Sequence, residues 1–115
     1  MNKGTYVYCT TQFEWFHRWP DASSDVPFLR NLHRHMFHVR FTVKVKHKDR
    51  AVEFIGLKRN IDEFINRLRP TWPENLSCEM IAQILIDELH KQSILKAYSC
   101  EVSEDGENGA IVVCQ

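Results

Sequence analysis

Phe37-His38-Val39-Arg40-Phe41-Thr42-Val43-Lys44-Val45-Lys46-His47 alternates without a break. Phe37, Val39, Phe41, Val43 and Val45 fall on one side of an extended chain, and His38, Arg40, Thr42, Lys44 and Lys46 on the other. A period of two with one apolar face predicts a half-buried antiparallel strand over 37–47. Upstream, the aromatic and β-forming residues of 5–16 predict a partner strand. Pro20 to Pro27, with Asp21, Ser23, Ser24 and Asp25, predicts a loop between the two. Downstream the period changes. Leu57, Ile61, Phe64, Ile65 and Leu68 recur at helical spacing, and that helix must stop before Pro70. Ser77 is a good N-cap for a second helix with Ile81, Ile84, Leu85 and Leu89 as its apolar stripe. Two strands, 96–104 and 109–114, follow around the turn Asp105-Gly106-Glu107-Asn108-Gly109. The order is ββααββ. It predicts an α+β fold, a four-stranded antiparallel sheet with two helices on one face, as a single domain over 1–115.

Composition bounds what such a domain can do. Apolar residues are 43% of the 115 and charged residues 26%, enough for one packed core in an ordinary water-facing domain. Fifteen basic residues balance fifteen acidic ones. Neutrality gives no overall pull toward nucleic acid or an anionic membrane, and it favours self-association. No apolar run approaches a bilayer span. Met1-Asn2-Lys3-Gly4-Thr5 lacks the apolar stretch of a secretory leader, so a cytoplasmic setting with reduced thiols is expected. Cys9, Cys78, Cys100 and Cys114 show no Cys-x-x-Cys pair. Locally the charge is uneven: Arg30, Arg34, Arg40, Lys44, Lys46, Lys48 and Arg50 face Asp49 alone, whereas the last strand pair carries Glu101, Glu104, Asp105 and Glu107. Such patches suit either subunit pairing or two solvated faces. Nucleic acid is not expected as a partner, because alternating Lys and Arg on a strand is ordinarily a wet face.

Six histidines are placed unevenly. His33 and His35, one residue apart just before the second strand, point to the same side of an extended segment. His17 ends the first strand in phase with Phe13 and Trp15. If the two strands form a hairpin, the three imidazoles can converge at one end of the sheet. Three His with a fourth position open is a catalytic zinc pattern, although copper or nickel suits the same donors. His38, His47 and His90 read as surface residues, His90 as a cation at a helix end. Glu104 shares the parity of Tyr98, Cys100 and Val102, which turns it toward the apolar side, with a turn-flanking surface position as the alternative.

The series Phe13-Glu14-Trp15-Phe16-His17-Arg18, Leu32-His33-Arg34-His35-Met36-Phe37 and Val52-Glu53-Phe54 resembles the 6-pyruvoyl-tetrahydropterin synthase and 6-carboxy-tetrahydropterin synthase family. Ser77-Cys78-Glu79 and Val102-Ser103-Glu104 extend the likeness to most of the chain. The resemblance implies the tunnelling fold, a homo-oligomer (tetramer or hexamer) with sites between subunits, and Zn2+ on His17, His33 and His35. It further implies a pterin or purine-like small molecule anchored by Glu104, with Ser77 and Cys78 touching the ring. A carboxylate suits the two-donor edge of such a ring.

The likeness breaks at the proton-transfer groups. Leu29 stands where the family has a reactive Cys, no Asp-His pair lies between the helices, and Arg34 replaces a Gly between the two histidines. Cys78, at a helix start, is the substitute base, if its pKa is lowered. Two functions follow: a zinc-dependent synthase-like lyase acting on a pterin triphosphate-type substrate, or a catalytically silent zinc- and pterin- or purine-binding oligomer.

Overall fold

The computed structural model describes residues 4–114. Met1 to Lys3, the start of the segment read for a leader, and Gln115 lie outside the described residues. Strands β1 (Thr5–His17) and β2 (His33–Val45), helices α1 (Phe54–Leu68) and α2 (Cys78–Gln92), and strands β3 (Ala97–Glu104) and β4 (Asn108–Val113) follow in chain order. The sheet order is β1-β2-β3-β4, antiparallel throughout. This is the α+β, ββααββ arrangement that the periodicities predict.

The inner face of the sheet and the apolar stripes of both helices form one core. Phe37, Phe41, Ile61, Phe64, Ile81, Leu85, Ile86 and Leu89 are its largest fully enclosed side chains. Glu53 caps α1, its carboxylate accepting the amides of Ile55 and Gly56. Ser77 caps α2 by accepting the Met80 amide at 3.2 Å. Each cap satisfies amides that the helix itself leaves free.

Three expectations are corrected by the structure. The second strand starts at His33 rather than Phe37, because pairing with β1 runs on to His17 opposite His33. The histidine pair therefore sits on the paired strand itself rather than on an extended segment just before it. Tyr98 does not share the inward face of Cys100 and Val102. The β2–β3 register shifts at Thr42/Val43, so Ala97 takes the core position, and Tyr98 lies 39% exposed with its ring 4.4 Å from Tyr6. A bulge inserts one residue and reverses the parity beyond it. His90 is not the helix-end cation expected, since its Nε2 accepts the Ala97 amide at 3.0 Å through a lone pair and ties the end of α2 to β3.

The basic and acidic segments turn out to be neighbours within the sheet. β2 pairs with β3, so Arg40 meets Glu101 at 3.7 Å in the same chain, and its guanidinium also covers the Tyr8 ring at 3.9 Å. No helix among the described residues is long and apolar enough to cross a membrane.

Candidate metal centre

Register builds the site. Trp15 pairs with His35 and His17 with His33 across β1 and β2, while Phe37 pairs with Glu104 across β2 and β3. His33, His35 and Phe37 share one face by parity, and the two pairings bring His17 and Glu104 onto it. Ring centroids of His17 lie 4.6 Å from His33 and 5.4 Å from His35, and those of His33 and His35 are 4.9 Å apart. Phe37 forms the floor, 5.1 Å from the His17 ring and 5.9 Å from that of His35. One potential ligand atom from each of His17, His33, His35 and Glu104 lies within 4.8 Å of all the others. This group can hold a metal ion.

The outward-facing ring nitrogens explain why the inward ones are free. His17 Nδ1 donates to the Leu76 carbonyl at 2.9 Å, and His33 Nδ1 donates to the Asn31 carbonyl at 2.8 Å. His35 Nδ1 donates to Asp105 Oδ2 at 2.7 Å. Carbonyl and carboxylate oxygens only accept, so each Nδ1 carries its hydrogen, which leaves Nε2 as the nitrogen that can offer a lone pair to a metal. His17 Nε2 and His35 Nε2 are buried without a hydrogen-bond partner. A buried, unpaired acceptor is costly until a hydrogen-bond donor or a cation meets it. Outer hydrogen bonds of this kind are the usual way in which metal-binding imidazoles are oriented and made more basic.

Asp105 is the site residue that sequence reasoning placed only in a turn. Its backbone is left-handed (φ 57°), as is that of Gly106 (φ 72°), and Glu107 N donates to the Glu104 carbonyl at 3.0 Å. Two consecutive positive φ values make the tight hairpin turn for which Asp-Gly is suited. The turn sends the carboxylate back over β2, where Oδ1 accepts the Met36 amide at 3.0 Å and Oδ2 the His35 ring. The His35 and Met36 hydrogen bonds hold the Asp105 carboxyl below its usual pKa. The Asp-Gly dipeptide directly after Glu104 is the signal that could have found it. For a divalent ion at this site, Asp105→Ala is expected to lower affinity by about 10–100-fold. Calorimetric titration measures this, and an unchanged Kd would show that His35 is oriented without it.

A cavity of about 510 Å³ opens beside three of the four residues. His17, His33 and Glu104 line one side, Ser77 and Cys78 the helix start opposite, and Leu29 also faces it. The predicted ring-contacting residues are thus brought together. The Glu104 carboxylate stands against the imidazoles, with Oε2 2.8 Å from His17 Nε2. The expectation of a lowered Cys78 pKa is reversed. Burial, then the charges of Glu104 and Glu79, push the thiol up to about 12. Desolvation and two carboxylates disfavour a thiolate more than the helix start favours it. A larger hollow of about 710 Å³ lies on the other face of the sheet, among Gln12, His38, Arg40 and Glu101. It contains none of the metal-binding group.

Comparison with known proteins adds to the fold and not to the chemistry. No family model and no curated protein matches the chain. The crystal structure of an uncharacterized protein from Wolinella succinogenes superposes with a TM-score of 0.78 at 16% identity, covering 99% of this chain and 100% of that one. At that identity the likeness establishes the shared fold alone.

Proposed function

We propose that the chain is a divergent protein of the 6-pyruvoyl/6-carboxy-tetrahydropterin synthase type that holds zinc on His17, His33 and His35 and acts on a pterin triphosphate-type substrate. The observation that carries this reading is the convergence of Nε2 lone pairs, two of them buried and unpartnered, beside a cavity of about 510 Å³. Three neutral imidazoles are a zinc donor set, and zinc bound there supplies a Lewis acid toward a carbonyl or water. Around it, Glu104 offers a carboxylate to the guanidine-like edge of a ring, and the capped start of α2 offers backbone amides. The tunnelling-fold assembly belongs to the same proposal. β1 and β4 are the two edges of the sheet, and Tyr6, Tyr8, Phe16, Ile111 and Val113 are exposed large apolar residues on them. A tetramer or hexamer with sites between subunits would cover them. Four free cysteines suit a reducing, cytoplasmic setting.

A second reading, a catalytically silent zinc- and ring-binding protein, is favoured by two specific observations. Leu29 faces the cavity where the resemblance calls for a reactive Cys, and the Cys78 thiol is pushed up to about 12. Positioned proton transfer contributes about 10²–10⁴-fold, so its loss bears directly on turnover. Zinc-loaded protein incubated with dihydroneopterin triphosphate, with product followed by chromatography, separates the two. Product formation is the expected result. No product, with pterin still bound and binding lost in Glu104→Gln, would establish the silent reading. Absence of zinc, of pterin binding and of turnover together would end both.

A further inference from the structure

We infer that Glu104 is the fourth ligand of the metal centre in the ligand-free protein, closing the position that three histidines alone would leave open. The inference rests on the metal reading above and changes what the site does at rest. The Glu104 carboxylate is split between two imidazoles, with Oε2 2.8 Å from His17 Nε2 and Oε1 3.7 Å from His35 Nε2. His17 is only 7% exposed, and its Nε2 has no hydrogen-bond partner despite the nearby oxygen. With both Nδ1 hydrogens committed to Leu76 and Asp105, lone pair faces lone pair across these gaps. A shared cation between them makes both contacts attractive, and the four ligand atoms, all within 4.8 Å of one another, leave room for a metal ion in that place. Donor atoms around a tetrahedral ion with bonds of about 2.0–2.2 Å lie about 3.3–3.6 Å apart, and the two observed separations bracket that range. The backbone leaves Glu104 little choice of direction. It pairs with Phe37 on the inner face, and the Asp105-Gly106 turn fixes the strand end immediately after it.

A carboxylate engaged in this way is not free to read a ring edge. Metal and ring therefore share Glu104, and linkage makes each weaken the other's hold on it. The resting centre has four protein ligands, the arrangement of a closed site, and it opens only when Glu104 is drawn away.

Cobalt(II) substituted into the wild-type protein is the direct probe, since its visible absorption reports coordination. The expected spectrum is that of a four-coordinate ion unmoved by millimolar azide, while in Glu104→Gln azide shifts the spectrum and zinc affinity falls by at least about tenfold. Glu104→Asp, with its charge kept and its reach shortened, serves if the Gln variant does not fold, and is expected to regain azide sensitivity. A wild-type spectrum that azide does shift, or zinc affinity in Glu104→Gln within threefold of wild type, would overturn the inference while leaving the three-histidine site standing. Wild-type protein that binds neither zinc nor cobalt would bring down the metal reading itself and this inference with it.

Discussion

Replacing His33 or His35 by alanine is expected to lower zinc affinity by more than about 100-fold, since losing even an orienting partner of a ligand costs about 10–100-fold. Each imidazole is held from behind, His33 by the Asn31 carbonyl and His35 by Asp105, so neither position can be refilled by a neighbour without breaking the β1–β2 register. The structural cost of the substitutions is small by comparison. Both side chains are only half-buried, and the weaker strand preference of alanine costs at most about 1 kcal/mol. A stability assay therefore separates the two effects. Zinc at about 100 times its Kd adds about 2.7 kcal/mol to the native state, a rise of about 10 °C in Tm for a domain of this size. Wild type should show that rise, and both variants should melt at one temperature with or without zinc. A zinc-dependent rise that survives in both variants would remove His33 and His35 from the site.

Phe37→Ala is expected to have the largest effect on folding, a loss of about 3–5 kcal/mol. Phe37 is completely enclosed, stacks on Phe13 with centroids 5.4 Å apart, and meets Trp15 edge-on at 5.7 Å. Marginal stabilities of about 5–15 kcal/mol make such a loss a large part of the total. The ring also supports the His17 and His35 imidazoles, so the void would open directly beneath the metal-binding group. Urea titration should move the midpoint strongly with little change in slope. Phe37→Leu, which keeps most of the volume, should cost much less and allow metal affinity to be measured in a folded protein. A loss below about 1.5 kcal/mol for the alanine variant would mean that the neighbouring aromatic rings close over the gap.

The residues made the secondary structure and the histidine face legible because both depend on local periodicity. The alternation beginning at Phe37 and the helical stripes through Ile61 and Ile81 each announce one buried face. His33 and His35 continue that alternation backward, although the strand's start was missed there. Polar imidazoles dilute the apolar signal that normally marks a strand. Tyr98 misled for another reason: parity counts residues, and a bulge adds one. The lowered pKa expected for Cys78 failed because a helix start is a local feature, whereas desolvation and the charge of Glu104 come from packing.

The chain alone therefore determined an α+β domain with two helices on one side of a four-stranded sheet, with His33 and His35 on one face of their strand and His17 in phase with the apolar residues of its own. These are consequences of side-chain period, which the sequence carries explicitly. Only the tertiary structure decided that Glu104 turns into the histidine group, that Asp105, Leu76 and Asn31 hold the three rings from behind, and that the Cys78 thiol is buried beside two carboxylates. Those facts depend on pairing register and on backbone carbonyls. Register and the Leu76 and Asp105 contacts join segments distant in the chain, which side-chain period does not reveal.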